Sequence, residues 1–143
     1  MMCGNTVLIT GGTGSLGKAL TRELLDIHQP RKVIIFSRDE LKQHEMQTGG
    51  YDDERLRYFI GDVRDVERLK MAMKGVDIVI HAAALKQVPA CEYNPEEACK
   101  TNIDGARNIV AAAIYRGVGK VMGISTDKAV APINLYGASK LVM

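Results

Sequence analysis

The sequence predicts an α/β domain, a doubly wound parallel sheet with helices on both faces. Three observations carry this. Short aliphatic runs alternate five times with segments of helical spacing. The runs are apolar on successive residues, as strands covered on both faces are. Right-handed crossovers turn such an alternation into a parallel sheet.

The strand candidates are Thr6–Thr10, Lys32–Ser37, Leu56–Ile60, Val76–His81 and Lys120–Ser125. Between the first two, Leu16, Leu20, Leu24 and Ile27 recur at helical steps until Pro30 stops them. A second helix starts near Asp39-Glu40 and dissolves in the polar, glycine-containing stretch 48–53. Asp65 opens a third, which Gly75 closes. Pro95 suits the first turn of a long fourth helix carrying Ile103, Ala106, Val110, Ala113 and Ile114.

At 143 residues, with 46% hydrophobic and 25% charged, the chain fits one soluble domain spanning 1–143. A net charge of +2 gives no footprint for nucleic acid or a membrane surface. No apolar run approaches the ~18 residues of a bilayer span, and Met1-Met2-Cys3-Gly4-Asn5 lacks the basic and apolar regions of a signal peptide. Cys3, Cys91 and Cys99 are odd in number, without Cys-x-x-Cys spacing, so neither a disulfide framework nor a zinc site is expected and the cytoplasm is the default.

On doubly wound sheets, ligands bind beyond the carboxyl ends of the strands. After the first strand comes Gly11-Gly12-Thr13-Gly14-Ser15-Leu16-Gly17, which contains Gly-x-Gly-x-x-Gly between a strand and a helix. Gly11, Gly14, Ser15, Leu16 and Gly17 are the candidate pyrophosphate contacts, served by free N–H groups and the helix dipole. This is a Rossmann fold. At the end of the second strand, Ser37-Arg38-Asp39 places a guanidinium where a 2′-phosphate would lie, which favours NADP over NAD; the other reading is a solvated pair at a helix start. After the third strand, Asp62, followed by Val63, either accepts from an adenine amino group or caps the next helix.

Beyond the fourth strand, Ala82 and Ala83 are small enough for a cofactor to lie against the backbone, and His81 reads as a hydrogen-bonded core histidine. Lys86 alone reads as a surface lysine. Beyond the fifth come Ser125, Thr126, Asp127 and Lys128, then Tyr136 and Lys140. The last two stand four apart and share a helix face. An ammonium there favours the phenolate and makes Tyr136 a usable base for a substrate hydroxyl.

The glycine turn, Asn102, Ser125-Thr126 and Tyr136-x-x-x-Lys140, in that order, resemble the extended short-chain dehydrogenase/reductase superfamily. More narrowly, SRDELKQ (Ser37–Gln43), FIGDVRD (Phe59–Asp65), HAAALKQVPACEYNP (His81–Pro95) and STDKAVAPINLYGASK (Ser125–Lys140) are similar to the inverting UDP-N-acetylglucosamine 4,6-dehydratases of pseudaminic acid and related polysaccharide pathways.

The resemblance implies a redox-neutral lyase. Tyr136 would take the proton of the sugar's 4-hydroxyl while hydride passes to NADP; Lys128 would remove the C-5 proton and Asp127 protonate the departing 6-hydroxyl. Hydride would return to C-6, and C-5 would be reprotonated from the opposite face. The resemblance also implies that Arg38, Asp39, Glu40, Leu41, Lys42 and Gln43 surround the adenosine 2′-phosphate and that Asn102 belongs to the cofactor site. Lys86 would touch cofactor and substrate, with Ser125 and Thr126 on the sugar. The related dTDP-glucose dehydratases carry Asp-Glu in place of Asp127-Lys128. Family members are longer and assemble as homo-oligomers, so the fold is expected to be truncated before a C-terminal sugar-binding region and the isolated chain to turn over little. Two other readings are a nucleotide-sugar epimerase, which has no use for Asp127-Lys128, and a non-catalytic NADP-binding protein, which the intact Tyr136–Lys140 pair disfavours.

Overall fold

The computed structural model describes residues 3–143. Met1 and Met2, which open the segment read as lacking a signal peptide, lie outside the described residues. In chain order the elements are β1 (Thr6–Thr10), α1 (Ser15–Glu23), β2 (Lys32–Ser37), α2 (Glu40–Thr48), β3 (Leu56–Ile60), α3 (Val66–Ala72), β4 (Ile78–His81), α4 (Val88–Tyr93), α5 (Pro95–Cys99), α6 (Gly105–Arg116), β5 (Lys120–Gly123) and α7 (Leu135–Val142). The five strands form one parallel sheet ordered β3-β2-β1-β4-β5. The expected Rossmann architecture is present, with β1 at its centre.

Strand alternation divides the core in two. Leu8, Ile34, Phe36 and Val79 meet Leu69 of α3, Met73 just after it, and Ile109 and Ala113 of α6. Val7, Ile9, Val33, Ile35 and Ile80 meet Leu24 and Met46 from the α1 and α2 side. β1 is buried along its whole length, whereas every residue of β5 is exposed.

Three expectations need correction. Leu16 and Ile27 are exposed; α1 turns Gly17, Thr21 and Leu24 inward and ends in a wider π turn, Leu24–His28. The fourth helix is continuous from Pro95, but a π turn at Lys100–Asp104 rotates everything after it. Ala106, Ile109, Ala112 and Ala113 therefore face the core, while Val110 and Ile114 point outward. Finally, β4 starts at Ile78 because Met73 and Gly75 shape the turn that holds Val76, and β5 ends at Gly123, where the chain leaves the sheet. The short helix α4, with Pro89 in its first turn and Cys91 inward, was read only as part of a motif.

Candidate active site

A cleft of about 740 Å³ opens at the carboxyl ends of β1, β2, β4 and β5. Its floor begins at the glycine turn. Gly11 has φ +67°, and a Cβ there would stand 2.9 Å from the Ala83 nitrogen, so the ends of β1 and β4 close on each other only without a side chain. A Cβ on Gly17 would lie 2.4 Å from the Gly12 carbonyl oxygen, which is how α1 seats against the turn. Gly14 at the N-cap supplies no side-chain acceptor, so the first N–H groups of α1 stay free for an anion.

The walls come from six further segments, one of them the Lys100–Asp104 turn, which contributes Thr101. Ser37, Arg38, Asp39 and Lys42 line the β2 side, and Gly61 and Val63 stand beyond β3. Ala82 to Ala84 and Lys86 follow β4, Ser125 follows β5, and Tyr136 and Lys140 project from α7. Most of the residues singled out in the sequence therefore line one cleft. Glu40, Leu41, Gln43, Asp62, Asn102, Thr126, Asp127 and Lys128 do not.

Several of these have other partners. Buried Gln43 donates to the Ser37 carbonyl and hydroxyl and to the Phe59 carbonyl, pinning α2 to the ends of β2 and β3. Asp39 caps α2; the Lys42 N–H, at 3.0 Å, holds its carboxyl below the usual range. Capping of α3 falls to Asp65, not Asp62, which overturns one of the two readings of Asp62. Asp62 instead accepts from the Arg64 backbone and guanidinium, with Arg38 at 3.7 Å. Burial pushes its carboxyl up, but the Arg64 hydrogen bonds and charge outweigh this and hold it below its ordinary value.

Asn102 is fully buried. Its Oδ1 accepts from the Leu85 N–H at 2.8 Å, and its Nδ2 donates to the Leu85 carbonyl and the Ser139 hydroxyl, both at 2.9 Å. The Ser139 hydroxyl donates on to the Tyr136 carbonyl. Asn102 thus ties the loop after β4 to α7. That helix is capped by Asn134, which accepts from Gly137, and by Glu92 of α4, which accepts from the Leu135 N–H at 2.7 Å.

Lys140 is buried, and desolvation lowers the pKa of its ammonium. His81, also buried, shares a 2.7 Å hydrogen bond between Nδ1 and the Thr10 hydroxyl, which also accepts from the Ala83 N–H. Burial, then the Lys140 charge, pushes His81 down to about 4, in keeping with its reading as a core histidine. Asp127 and Lys128 begin a single 3₁₀ turn, Asp127–Ala129, and lie 3.6 Å apart. The Thr126 hydroxyl, then Lys128, keep the exposed Asp127 carboxyl below its ordinary value.

Sequence reasoning passed over Lys18, Thr101, Glu92 and Ser139. Lys18 was legible as the cation beside the last glycine, and Ser139 as the buried position between Tyr136 and Lys140; Glu92 carried no local signal. The Oγ1 of Thr101, which lines the cleft, has no hydrogen-bond partner. Among the described residues no group of His, Cys, Asp and Glu could hold a metal ion, and no helix is long and apolar enough to cross a membrane.

The family model for polysaccharide biosynthesis proteins matches residues 7–143. The chain belongs to that family. It is 58% identical over 141 residues to the UDP-N-acetylglucosamine 4,6-dehydratase (inverting) of Campylobacter jejuni strain 81-176, covering 99% of this chain and 42% of the relative. The UDP-glucose 4-epimerase of Rickettsia akari is 49% identical over 146 residues, again covering 42% of the relative. The chain therefore spans about two-fifths of the length of the curated relatives it matches. Among solved structures, Pen from Bacillus thuringiensis superposes with a TM-score of 0.95 at 44% identity, covering 99% of this chain and 43% of that one. The dTDP-glucose 4,6-dehydratase DesIV of Streptomyces venezuelae, solved with NAD and TYD, gives 0.88 at 28% identity over 96% of this chain and 48% of its own.

Proposed function

We propose that the chain is the dinucleotide-binding part of an NADP-dependent dehydratase that converts UDP-N-acetylglucosamine to a 4-keto-6-deoxy sugar with inversion at C-5. This is the reaction that opens pseudaminic acid and related surface-polysaccharide synthesis. One observation carries the reading. Tyr136 and Lys140 face the cleft from α7, and the Asp127–Lys128 turn lies against that same helix.

The residues present fit a dinucleotide. The free α1 terminus at Gly14 suits a pyrophosphate. Five cations line the cleft (Lys18, Arg38, Lys42, Lys86, Lys140) against the single carboxylate of Asp39. That imbalance, with the guanidinium of Arg38 beyond β2, favours the ligand carrying the extra phosphate. Bound there, the nicotinamide would supply a reversible hydride acceptor for the sugar.

The rest is work for the chain's own groups. Tyr136 as phenolate takes the proton of the 4-hydroxyl, and Lys140, one turn on, favours that phenolate. Lys128 removes the C-5 proton, which a ketone at C-4 acidifies. Asp127 gives a proton to the departing 6-hydroxyl, which leaves as water. A sugar covering the turn would desolvate Asp127 and raise its pKa toward the donor form. The reading includes a cytoplasmic homo-oligomer; the outward-facing Val110 and Ile114 of α6 offer apolar surface for it.

Calorimetric titration with NADP and NAD tests the cofactor. NADP is expected to bind at least ~10-fold more tightly, the worth of one charge-assisted pair. Equal affinities would remove Arg38 from the argument, and binding of neither would sink the reading. The Rickettsia relatives favour a second reading, a 4-epimerase. Lys128→Ala separates the two: a dehydratase loses ~10²-fold or more in 4-keto product, the usual scale for a lost general base, whereas an epimerase keeps most of its turnover.

A further inference from the structure

Gly137 follows Tyr136 in α7 and is buried. A Cβ built on it would stand 2.2 Å from the Lys128 carbonyl oxygen, 3.1 Å from the Lys128 carbonyl carbon and 3.1 Å from Cβ of Pro132. These neighbours are backbone and a proline ring, not the free end of a flexible side chain, so neither side can yield by a rotamer change. Any residue but glycine must push the 126–132 loop away from α7.

The loop has little else to hold it in place. Asp127, Lys128 and Val130 are exposed, and Ala131 takes a left-handed φ of +49°. Its own hydrogen bonds are internal: Ala129 N–H to the Thr126 carbonyl and Val130 N–H to the Asp127 carbonyl. They shape the turn without fixing where it sits. α7, by contrast, is anchored from outside by Glu92 at its start and by Asn102 through Ser139. The helix is the fixed partner, and the turn rests on it at Gly137.

We infer that Gly137 is a positioning residue: the missing side chain lets the Asp127–Lys128 turn close onto the helix that carries Tyr136 and Lys140. This deepens the proposed function, on which its chemical meaning rests; the placement itself rests on geometry alone. Tyr136 and Lys140 belong to the helix and keep their places whatever residue stands at 137. The acid–base turn does not. Gly137 thereby sets the distance between proton transfer at the sugar's 4-hydroxyl and elimination across C-5 and C-6. A shift of about an ångström is enough to cost ~10²-fold in such a reaction.

The test is Gly137→Ala in the full chain, read by hydrogen exchange. Alanine is the better helix former, so α7 amides should stay as protected as in the wild type or gain protection. Exchange at residues 126–130 should rise ~10-fold or more while the glycine turn stays unchanged, and NADP affinity should hold within about threefold. Unchanged exchange at 126–130 would overturn the inference. So would faster exchange throughout the chain, since glycine would then matter to the fold rather than to the turn. A wild-type measurement guards against a variant that does not fold. Gly137 Hα and the Lys128–Ala129 protons should show a nuclear Overhauser effect, and its absence would refute the placement. If the wild type binds no dinucleotide, the functional reading fails, yet exchange and Overhauser data still decide where the turn sits.

Discussion

The two ends of the cleft are built by different means. At the nucleotide end, β1 and β2 are buried almost throughout, and the glycine turn seats by backbone against backbone, Gly11 on Ala83 and Gly17 on Gly12. At the chemical end, β5 is exposed along its length, and α7 is located by side chains (Glu92, Asn134 and the Asn102–Ser139 pair); the one backbone-on-backbone seat described there is that of the Lys128 turn on Gly137. Backbone contacts of the first kind cannot be loosened without disturbing the packing of the strands themselves. Side-chain ties of the second kind can be cut one at a time, so at this end geometry and fold are separable. The five cleft cations run through both ends, an arrangement that suits the elongated dinucleotide proposed above.

Asn102→Ala is the largest expected break in that contrast. It leaves the part-buried Leu85 N–H unpaired, at ~1–3 kcal/mol, and takes one hydrogen bond each from the Leu85 carbonyl and the Ser139 hydroxyl, which keep Cys91 and the Tyr136 carbonyl as partners. A loss of roughly 3 kcal/mol in denaturant unfolding is expected, with faster hydrogen exchange at 84–86 and in α7 and little change at 11–18. A loss under ~1 kcal/mol would mean that water replaces the amide, and that α7 is held by Glu92 and Asn134 instead.

The same contrast explains what the sequence disclosed. β1, β2 and β3 were legible to the residue because aliphatic period and flanking turn residues agree there, and the glycine turn because backbone approach leaves only one side chain that fits. Tyr136 and Lys140 were legible from a four-residue spacing that any helix turns into one face. Hidden were features set by distant partners. Nothing near Val110 announces the π turn that carries it outward, since a π turn is a matter of packing, not of local composition. Gln43 and Asn102 look like cleft residues in a motif; their amides point into the protein because carbonyls from β2, β3 and the post-β4 loop need donors there. Asp62 and Asp65, three residues apart, compete for one capping role, and only the backbone geometry at Asp65 decides it.

An effect of at most similar size, and one that sharpens the comparison, is expected from pH at the seam between the two ends. His81 joins β4 to β1 through Thr10 and lies near Lys140 of α7. Its folded-state pKa of about 4 is below its ordinary 6.5, since burial and the lysine charge disfavour the imidazolium. Above pH 6.5 the ring is neutral in folded and unfolded chains alike, and its contribution to stability is whole. As pH falls from 6.5 toward 4 the unfolded chain takes up the proton and the folded one resists, so that contribution is lost. At 1.36 kcal/mol per pKa unit the loss is about 3 kcal/mol, less any relief from water entering the site. His81→Asn keeps a polar atom near the Thr10 hydroxyl and does not titrate. Unfolding free energies measured at intervals from pH 7 to 4 should therefore fall more steeply for the wild type than for the variant. Below pH 4 both should decline together as Asp53, held near 2 by Arg55, and the other paired carboxylates protonate. Parallel curves from pH 7 to 4 would show that the imidazole accepts its proton without cost, and that the seam is wetter than its burial implies.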